Sequence, residues 1–377
     1  EGRNFIAQTE DKVKWGKAAA TFKRIIDMNK YAIHTVSKIV NEKGTGTLPL
    51  PETVSDADFP DGAGGIDPYK SYKTLFDGTY QPELVKEYIY FSKNNGNYIL
   101  VTPSKLGGIS SFSVTLDMID EYRMADGRPF SEATQAEKSW QAVGQDKTFS
   151  SDYLLSGNRA HRDDGREPRF YAAIGFNACI WPTTSHRDGL SAGTRNYVTD
   201  YYYGGSASDM NNNDNRTRTG YTCRKYVHQD DCIFWNGVVK AKTYTIFRYA
   251  EVLLNYAEAK NESLSVPDES VYNAVNEVRA RSNQPNLPTG LSKEEMRKRI
   301  KNERRVELLL EEHRFYDLRR WKDGNVLAEP IMGMNIYNNN ITLKYEISKV
   351  EDRVFTGEHY YLPIPLSEQE KNPLLKE

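Results

Sequence analysis

The chain has 377 residues, of which 38% are hydrophobic and 12% aromatic, and its mean hydropathy is -0.70. It contains no apolar run near the roughly 18 residues that a membrane-spanning helix needs, and it is long enough to bury a core without disulfides or metals. Its 50 Lys and Arg nearly balance 52 Asp and Glu, whereas a nucleic-acid binder usually has a basic excess.

The first predicted element is a helix over residues 10–40. Val13, Ala18, Phe22 and Ile25 recur at three- and four-residue spacings, and the pattern ends near MNKYAI. The residues before it have neither the basic n-region nor the apolar h-region of a signal peptide. We therefore expect either a cytoplasmic protein or a chain whose true N-terminus lies elsewhere.

Residues 41–241 are predicted to form a long, loop-rich segment with short helices and strands. Gly, Asn, Asp, Ser and Pro punctuate it, as in SDADFPDGAGGIDP and GGSASDMNNNDNRTRTG. Helical periodicity returns only briefly, for example in PELVKEYIYF.

Helices are predicted again over residues 242–330. TYTIFRYAEVLLNYAEAKNE places Ile246 and small alanines on one apolar stripe, and ESVYNAVNEVRARS continues with valines at helical spacing. A third helix begins at LSKEEMRKRI, where Ser292 and Glu295 form a capping box. Antiparallel helices joined by short turns predict a mostly α fold with tetratricopeptide-like helical hairpins.

The stretch NERRVELLLEEHRFYDLRRW, residues 302–321, interleaves carboxylates and arginines with leucines. Glu303, Glu307 and Glu311 recur every four residues on a helix predicted through 293–313. A glycosidase needs two nearby carboxyl groups, one with a raised pKa, whereas the neighbouring arginines favour the ionised form. We therefore predict a structural Arg/Glu network and no active site.

The tail, residues 331–377, is predicted to lie extended against the body. Its three prolines in HYYLPIPLSEQEKNPLLKE exclude a long helix. Leu362, Ile364 and Leu366 alternate and are expected to anchor it.

The candidate ligand-binding residues are mainly aromatic. Aromatic rings stack on the apolar faces of pyranoses or on peptide side chains, while Asn and Arg bond hydroxyl groups. The predicted set is Trp140, Trp181, Arg195, Asn196, Tyr201, Tyr202, Tyr203 and Trp235. The alternative is that Tyr201 to Tyr203 form a strand with two of the three rings packed inward.

No metal or cofactor is predicted. Cys179, Cys223 and Cys232 follow no zinc-ligand spacing, although a disulfide between Cys223 and Cys232 remains an alternative. The acidic segment SDADFPDG, residues 55–62, can gather carboxylates around calcium, but acidic turns of this kind are mostly solvated.

Four segments in the second half of the chain resemble those of one protein family. FRYAEVLLNYAEAKNE, VYNAVNEVRARSNQP, IKNERRVELLLEEHRFYDLRRWKDG and YYLPIPLSEQEKNP occur in that order, and they are similar to the C-terminal half of the SusD/RagB family of outer-membrane nutrient-binding lipoproteins. Upstream, LDMIDEYRMADGRPF, REPRFYAAIGFNACIW and WGKAAATFKRIIDMNKYAI also resemble family segments, with Glu167 where Asp is usual. The resemblance covers essentially the whole chain.

The resemblance implies one SusD-like unit over residues 1–377. Its parts would be a tetratricopeptide-type helix (1–40), a ligand-presenting region (41–241), helical hairpins (242–330) and a tail packed on the body (331–377). In family members a signal peptide, a lipidated cysteine and further residues come before the first of these parts.

The resemblance also implies a non-catalytic binding protein on the outer face of a Gram-negative outer membrane. Such proteins pass oligosaccharides, or in some relatives peptides, to a SusC-like TonB-dependent transporter, and a lipid anchor holds them at the membrane. The family's motifs do not mark its ligand-contacting residues. A carbohydrate-active enzyme and a protein-interaction scaffold without a small ligand are the competing hypotheses.

Overall fold

The computed structural model of the chain describes the residues given at the end of this paragraph. For a few of these residues, including Tyr98 and Asn196, it describes only the backbone. The described residues are 11–37, 65–94, 98–150, 153–182, 196–205, 207, 217–229, 231, 239–340, 342–360, 364–372 and 374.

The longer helices lie over residues 12–27 and 249–320, short strands lie mainly between these two ranges, and the two longest strands follow at residues 331–351. The helices are α1 (Lys12–Asp27), α2 (Pro68–Lys73), α3 (Tyr98–Val101), α4 (Leu116–Glu121), α5 (Pro168–Ala173), α6 (Tyr249–Ser263), α7 (Glu269–Arg281), α8 (Lys293–Glu307), α9 (His313–Arg320), α10 (Gly324–Ala328) and α11 (Leu366–Lys371). The strands are β1 (Tyr88–Asn94), β2 (Lys147–Ser150), β3 (Tyr153–Leu155), β4 (Ile174–Gly175), β5 (Ile180–Pro182), β6 (Asn196–Val198), β7 (Thr222–Cys223), β8 (Lys242–Arg248), β9 (Ile331–Asn338) and β10 (Leu343–Glu351).

The strands form two-stranded antiparallel ribbons. Their pairs are β1 with β8, β2 with β3, β4 with β7, β5 with β6, and β9 with β10. Because each strand has only one neighbouring strand, packing against helices and loops must bury the apolar face of each ribbon.

The helical part has a core of its own, formed by α1, α6, α7 and α8. Ala250 and Ala257 are fully buried on α6, and α1 packs along this helix. The valines of α7 point into the same core, as their spacing predicts. The predicted capping box at Ser292 and Glu295 is confirmed, since each side chain bonds the other residue's backbone N–H.

A second core lies under the loop-rich part and is rich in aromatic rings. Tyr72 of α2, Tyr122 after α4 and Phe170 of α5 are fully buried in it. Val306 of α8 belongs to this core as well, so α8 contacts both cores.

Three sequence-based helix predictions need correction. PELVKEYIYF begins with a short 3-10 turn and continues into strand β1. This strand pairs with β8, so the segment is not a helix. Ile246, which was placed on the stripe of α6, lies in β8, and α6 begins only at Tyr249. The first helix ends at Asp27 and the chain turns at Asn29, whose φ is 52°.

The tail also differs from the prediction of an extended segment. Its first part is the β9–β10 hairpin, which the sequence analysis missed. Leu366 begins α11 and is 70% exposed, so it does not anchor the tail; Ile364 is half-buried, and Leu362 lies outside the described residues.

Candidate functional site

The predicted Arg/Glu network is present at the end of α8, and all three glutamates are buried in it. Glu307 accepts hydrogen bonds from Arg169 at 2.9 Å, from Arg248 at 2.7 Å and from Arg281. We call this group, together with Glu87, Glu167, Lys225, Arg279, Glu303 and Glu311, the carboxylate network.

The network holds its carboxylates in the ionised form. Burial alone raises the pKa of a carboxyl group, but Arg281, Arg248 and Arg169 outweigh that effect and keep the pKa of Glu307 well below its ordinary value. In the same way Arg248 and Lys225 overcome burial and lower the pKa of Glu311 to about 2. Neither group can act as a general acid near neutral pH, so the network is structural.

Side chains from the loop-rich part also cap the end of α8. Tyr72 Oη donates to the Glu307 carbonyl at 3.0 Å, Lys225 Nζ to that of Leu309 at 2.7 Å, and Tyr226 Oη to that of Leu310 at 3.0 Å. Glu307 is the last residue of α8, and Leu309 and Leu310 lie in the turn that follows, so these donors satisfy one helix-end carbonyl and two carbonyls of the turn.

The structure places two of the predicted ligand-binding aromatics inside the protein. Trp181 on β5 is 2% exposed, and Tyr201 is fully buried with its hydroxyl 3.0 Å from Thr222 Oγ1. Both rings are packed in the interior, and of the two only Trp181 contributes to the wall of a cavity.

Two other predicted aromatics are half-buried and stack on rings of the β9–β10 hairpin. Trp140 stacks on Tyr345 with 4.8 Å between ring centroids, and the Arg162 guanidinium lies 4.4 Å from the Trp140 ring. Tyr203 stacks on Tyr337, also at 4.8 Å. We call Trp140–Tyr345 and Tyr203–Tyr337 the aromatic pairs.

The hairpin register puts the aromatic pairs on opposite faces. Tyr345 is directly opposite Ile336, which is buried, whereas Tyr337 is opposite Lys344, which is exposed. Residues paired across an antiparallel ribbon point to the same side. The Tyr203–Tyr337 pair therefore lies on the outer face, and its rings are the more accessible to a ligand.

Four predicted ligand-binding residues remain, of which the structure describes Tyr202 and the backbone of Asn196. Tyr202 is half-buried and packs against the small core around Met334 and Ile336. The backbone of Asn196 pairs with Pro182, but its side chain is not described. Arg195 and Trp235 lie outside the described residues.

A polar cavity of about 600 Å³ lies between α2 and the segment after β7. Trp181, one of the predicted ligand-binding residues, contributes to the wall of this cavity. Its lining is Thr35, Val36, Ser37, Tyr69, Lys70, Lys73, Thr74, Asp77, Thr79, Tyr80, Trp181, Arg224, Val227, His228 and Gln229. Aromatic rings, hydroxyl groups, an amide and charged groups together form a lining that suits a sugar.

A second, apolar cavity of about 580 Å³ lies beside α9. Leu308, Phe315 and Leu327 contribute to its wall together with Arg314. Arg314 forms no hydrogen bond or ion pair within the described part of the chain, and both burial and the neighbouring Arg305 lower its pKa to about 10. This cavity therefore combines apolar surface with the Arg314 guanidinium, on which Glu121, Asp117 and Asp317 act electrostatically without forming a hydrogen bond or ion pair in the part that the structure describes.

Metal ligands do not cluster in the part of the chain that the structure describes: no three His, Cys, Asp or Glu residues lie close enough to hold an ion. The acidic segment 55–62 lies outside the described residues, as does Cys232. Cys223 is a buried free thiol. Among the described helices none is both long and apolar enough to cross a membrane.

Sequence reasoning missed Arg224, Tyr337 and Tyr345. The two tyrosines sit in alternating segments, MNIYN and LKYEIS, whose period of two is a strand signal. Arg224 follows a two-residue strand, and nothing in its local sequence indicates that it lies against a cavity.

Comparison with known proteins identifies a family model and a curated relative that match this chain. A family model described as the SusD family matches residues 74–377. Over 102 residues the chain is 41% identical to SusD-like protein P2 of Formosa agariphila, a match that covers 25% of this chain and 20% of that protein.

Two solved structures of Bacteroides fragilis proteins share the fold. One is a SusD-like protein with a TM-score of 0.67 and 24% identity, covering 97% of this chain. The other is a SusD-like carbohydrate-binding protein with a TM-score of 0.64 and 22% identity, covering 96% of this chain. This chain spans 61% of the length of each, which is less than two thirds.

Proposed function

The chain belongs to the SusD family, and from this premise we propose that it is a non-catalytic, cell-surface protein that captures oligosaccharides or polysaccharide. It would deliver them to a SusC-like TonB-dependent transporter. The family match over residues 74–377 carries the proposal. The structural neighbour that is named as carbohydrate-binding supports the choice of ligand.

The proposed location is the extracellular face of the outer membrane, where a lipid anchor would hold the protein. The helical hairpins of α6, α7 and α8 would form the scaffold beside the transporter. The loop-rich region over residues 41–241 would present the ligand site, and residues 1–377 would act as one SusD-like unit. Co-purification of the transporter with the anchored protein from solubilised outer membranes tests this part.

The proposed glycan contacts are the outward-facing aromatic rings of Tyr203 and Tyr337, with Tyr202 beside them. Stacked tyrosines have a flat apolar surface and polar hydroxyl tips, which match the apolar face and the hydroxyl rim of a pyranose. We also propose Asn196, Arg195 and Trp235 as glycan contacts.

Alanine variants test this surface. We expect Tyr203→Ala and Tyr337→Ala each to weaken binding of the preferred glycan about tenfold, which corresponds to about 1.4 kcal/mol. Tyr316→Ala is the matched control, because Tyr316 is an exposed tyrosine on α9 outside the aromatic pairs. Unchanged affinity in both hairpin-side variants, measured by calorimetry, would rule out this surface.

The absence of catalysis is part of the proposal and has its own test. The buried glutamates nearest to a glycosidase pattern are held ionised by arginines, which argues against acid catalysis at that place. Incubation of the bound polysaccharide with purified protein should leave its chain length unchanged. Release of shorter oligosaccharides would favour a carbohydrate-active enzyme.

Peptide binding is the second candidate function, and the apolar cavity beside α9 favours it. An apolar wall beside the Arg314 guanidinium fits a peptide that presents a carboxylate next to large apolar side chains. A peptide mixture screened against the wild type and Arg314→Gln tests this alternative. Binding that depends on Arg314, with no binding of any glycan, would replace the main proposal.

A further inference from the structure

We propose that the polar cavity binds an acidic sugar residue, meaning a pyranose that bears a carboxylate or a sulfate ester. The inference rests on the proposed glycan-binding function and adds the class of sugar. It starts from the charges of the described residues that line the cavity, which include Lys70, Lys73 and Arg224 but a single carboxylate, Asp77.

Arg224 is a cation that has no counterion among the described residues. Its side chain is almost completely buried, and it forms no ion pair with any carboxylate in the described part of the chain. Nη1 donates to Tyr153 Oη at 2.7 Å and to the Ile180 carbonyl at 3.0 Å, while Nε has no hydrogen-bond partner in the part of the chain that the structure describes. A buried charge that no opposite charge balances is costly, so an anion in the adjoining cavity would be stabilised there.

The one carboxylate among the described lining residues is already engaged. Asp77 lies 3.8 Å from Lys73 Nζ and accepts hydrogen bonds from the backbone N–H and the hydroxyl of Thr79. Lys73 Nζ donates in addition to the carbonyls of Arg224, Lys225 and Val227. Asp77 and Lys73 therefore offset each other, and the charge of Arg224 is left over.

The remaining lining favours a sugar over a simple inorganic anion. The indole of Trp181, which lines the cavity, lies 5.0 Å from the Arg224 guanidinium, and the phenol ring of Tyr153, which is buried outside the lining, lies 4.5 Å from it. Tyr69 and Tyr80 add aromatic surface, and hydroxyl and amide groups line the rim. The volume, about 600 Å³, falls within the roughly 300–1,000 Å³ of ligand pockets and exceeds what one small anion fills.

The decisive experiment compares matched pairs of oligosaccharides by calorimetry on the full chain. One pair is oligogalacturonate and its carboxyl-reduced form; the other is a sulfated galactan oligosaccharide and its desulfated form. We expect the acidic member of at least one pair to bind ten times more tightly than the neutral member. The pair that shows the preference tells whether the anion is a carboxylate or a sulfate.

Each outcome has a distinct meaning. Equal or tighter binding of the neutral members in both pairs overturns the acidic-sugar inference but leaves glycan capture intact. Binding of another, neutral glycan with no binding to either pair does the same. Failure to bind any glycan overturns the proposed function itself.

A charge variant at the rim tests the location without disturbing the core. Gln229 is exposed and lines the cavity, so Gln229→Glu should fold normally and place a carboxylate beside the bound anion. We expect it to reduce the preference for the acidic sugar at least fivefold, whereas Gln135→Glu, at an exposed glutamine outside the lining, should not. An unchanged preference in Gln229→Glu would place the anion elsewhere and overturn the assignment to this cavity.

Discussion

At the scale of single residues, Glu307 explains why a charged stretch lies inside the protein. Arg169 comes from α5, Arg248 from the end of β8 and Arg281 from α7, and all three converge on this one carboxylate. Buried ion pairs are weak evidence for net stability, but removing one partner from such a group is costly. We therefore regard Glu307 as the residue that fixes how α5, α7 and α8 meet.

Glu307→Gln tests this role. The variant keeps the shape of the side chain but leaves three buried arginines with one fewer opposite charge, so we expect a loss of about 3–5 kcal/mol of unfolding free energy in urea titrations. Glu83→Gln is the control, because Glu83 forms an exposed ion pair with Lys93. Equal stability of the two variants would contradict the account.

The carboxylate network also predicts how stability depends on pH. In the unfolded chain Glu311 titrates near its ordinary pKa of about 4.3, and in the folded chain its pKa is about 2. The stabilisation by this depressed pKa is therefore complete above about pH 5 and is lost as the pH falls toward 2. Unfolding free energies measured from pH 6 to pH 2.5 should decline in the wild type and decline less steeply in Glu311→Gln. Parallel curves would contradict the assignment.

Single residues also show why the binding site was only partly predictable. The cluster of tyrosines at 201–203 is visible in the sequence, but the burial of Tyr201 depends on Thr222 and on the strands that surround it. Tyr203 finds its stacking partner, Tyr337, more than a hundred residues later. Composition identifies rings that can bind a sugar, and long-range packing decides which of them remain accessible.

At the scale of elements, the β9–β10 hairpin depends on close contact with the segment before β7. A Cβ atom added at Gly333 would lie 2.7 Å from the Thr219 Cα and 2.8 Å from Val350 Cγ2. The backbone also joins the two segments, since the Met334 N–H donates to the Thr219 carbonyl at 2.9 Å. The absence of a side chain at Gly333 lets the hairpin dock here.

Gly333→Ala should therefore loosen the docked hairpin. We expect a loss of about 1–3 kcal/mol in unfolding free energy, because neither contact can move away without shifting backbone or packed side chains. Gly357→Ala is the matched control, since no atom lies within 4 Å of its added Cβ. Thermal denaturation distinguishes the two, and an equal midpoint in both variants would show that the hairpin does not rely on this approach.

Elements differ in how far the sequence determines them. The valine spacing of α7 and the capping box of α8 are local signals, and the structure confirms both. The single helix predicted through 293–313 instead breaks after Glu307 into α8 and α9, with positive φ at Leu310 and Glu312. Donors from distant loops bond the carbonyls at this break, so no local pattern could have located it.

At the scale of the whole molecule, the carboxylate network joins the helical part to the loop-rich part. Its arginines come from both parts, and α8 contributes to both cores. Such a shared, buried network favours one cooperative unfolding unit over independent domains.

We accordingly expect a single unfolding transition. The calorimetric enthalpy should equal the van't Hoff enthalpy, and circular dichroism and tyrosine fluorescence should give the same midpoint. Two resolved transitions would contradict the proposal that the chain forms one SusD-like unit.

The measurement that tests the central proposal most directly is affinity electrophoresis in native gels that contain plant, microbial or host polysaccharides. The account predicts that at least one polysaccharide retards the protein, that Tyr203→Ala reduces the retardation, and that the polymer keeps its size. Unretarded migration in every gel, or a polysaccharide that becomes shorter, would contradict the account of a glycan-capturing protein without catalytic activity.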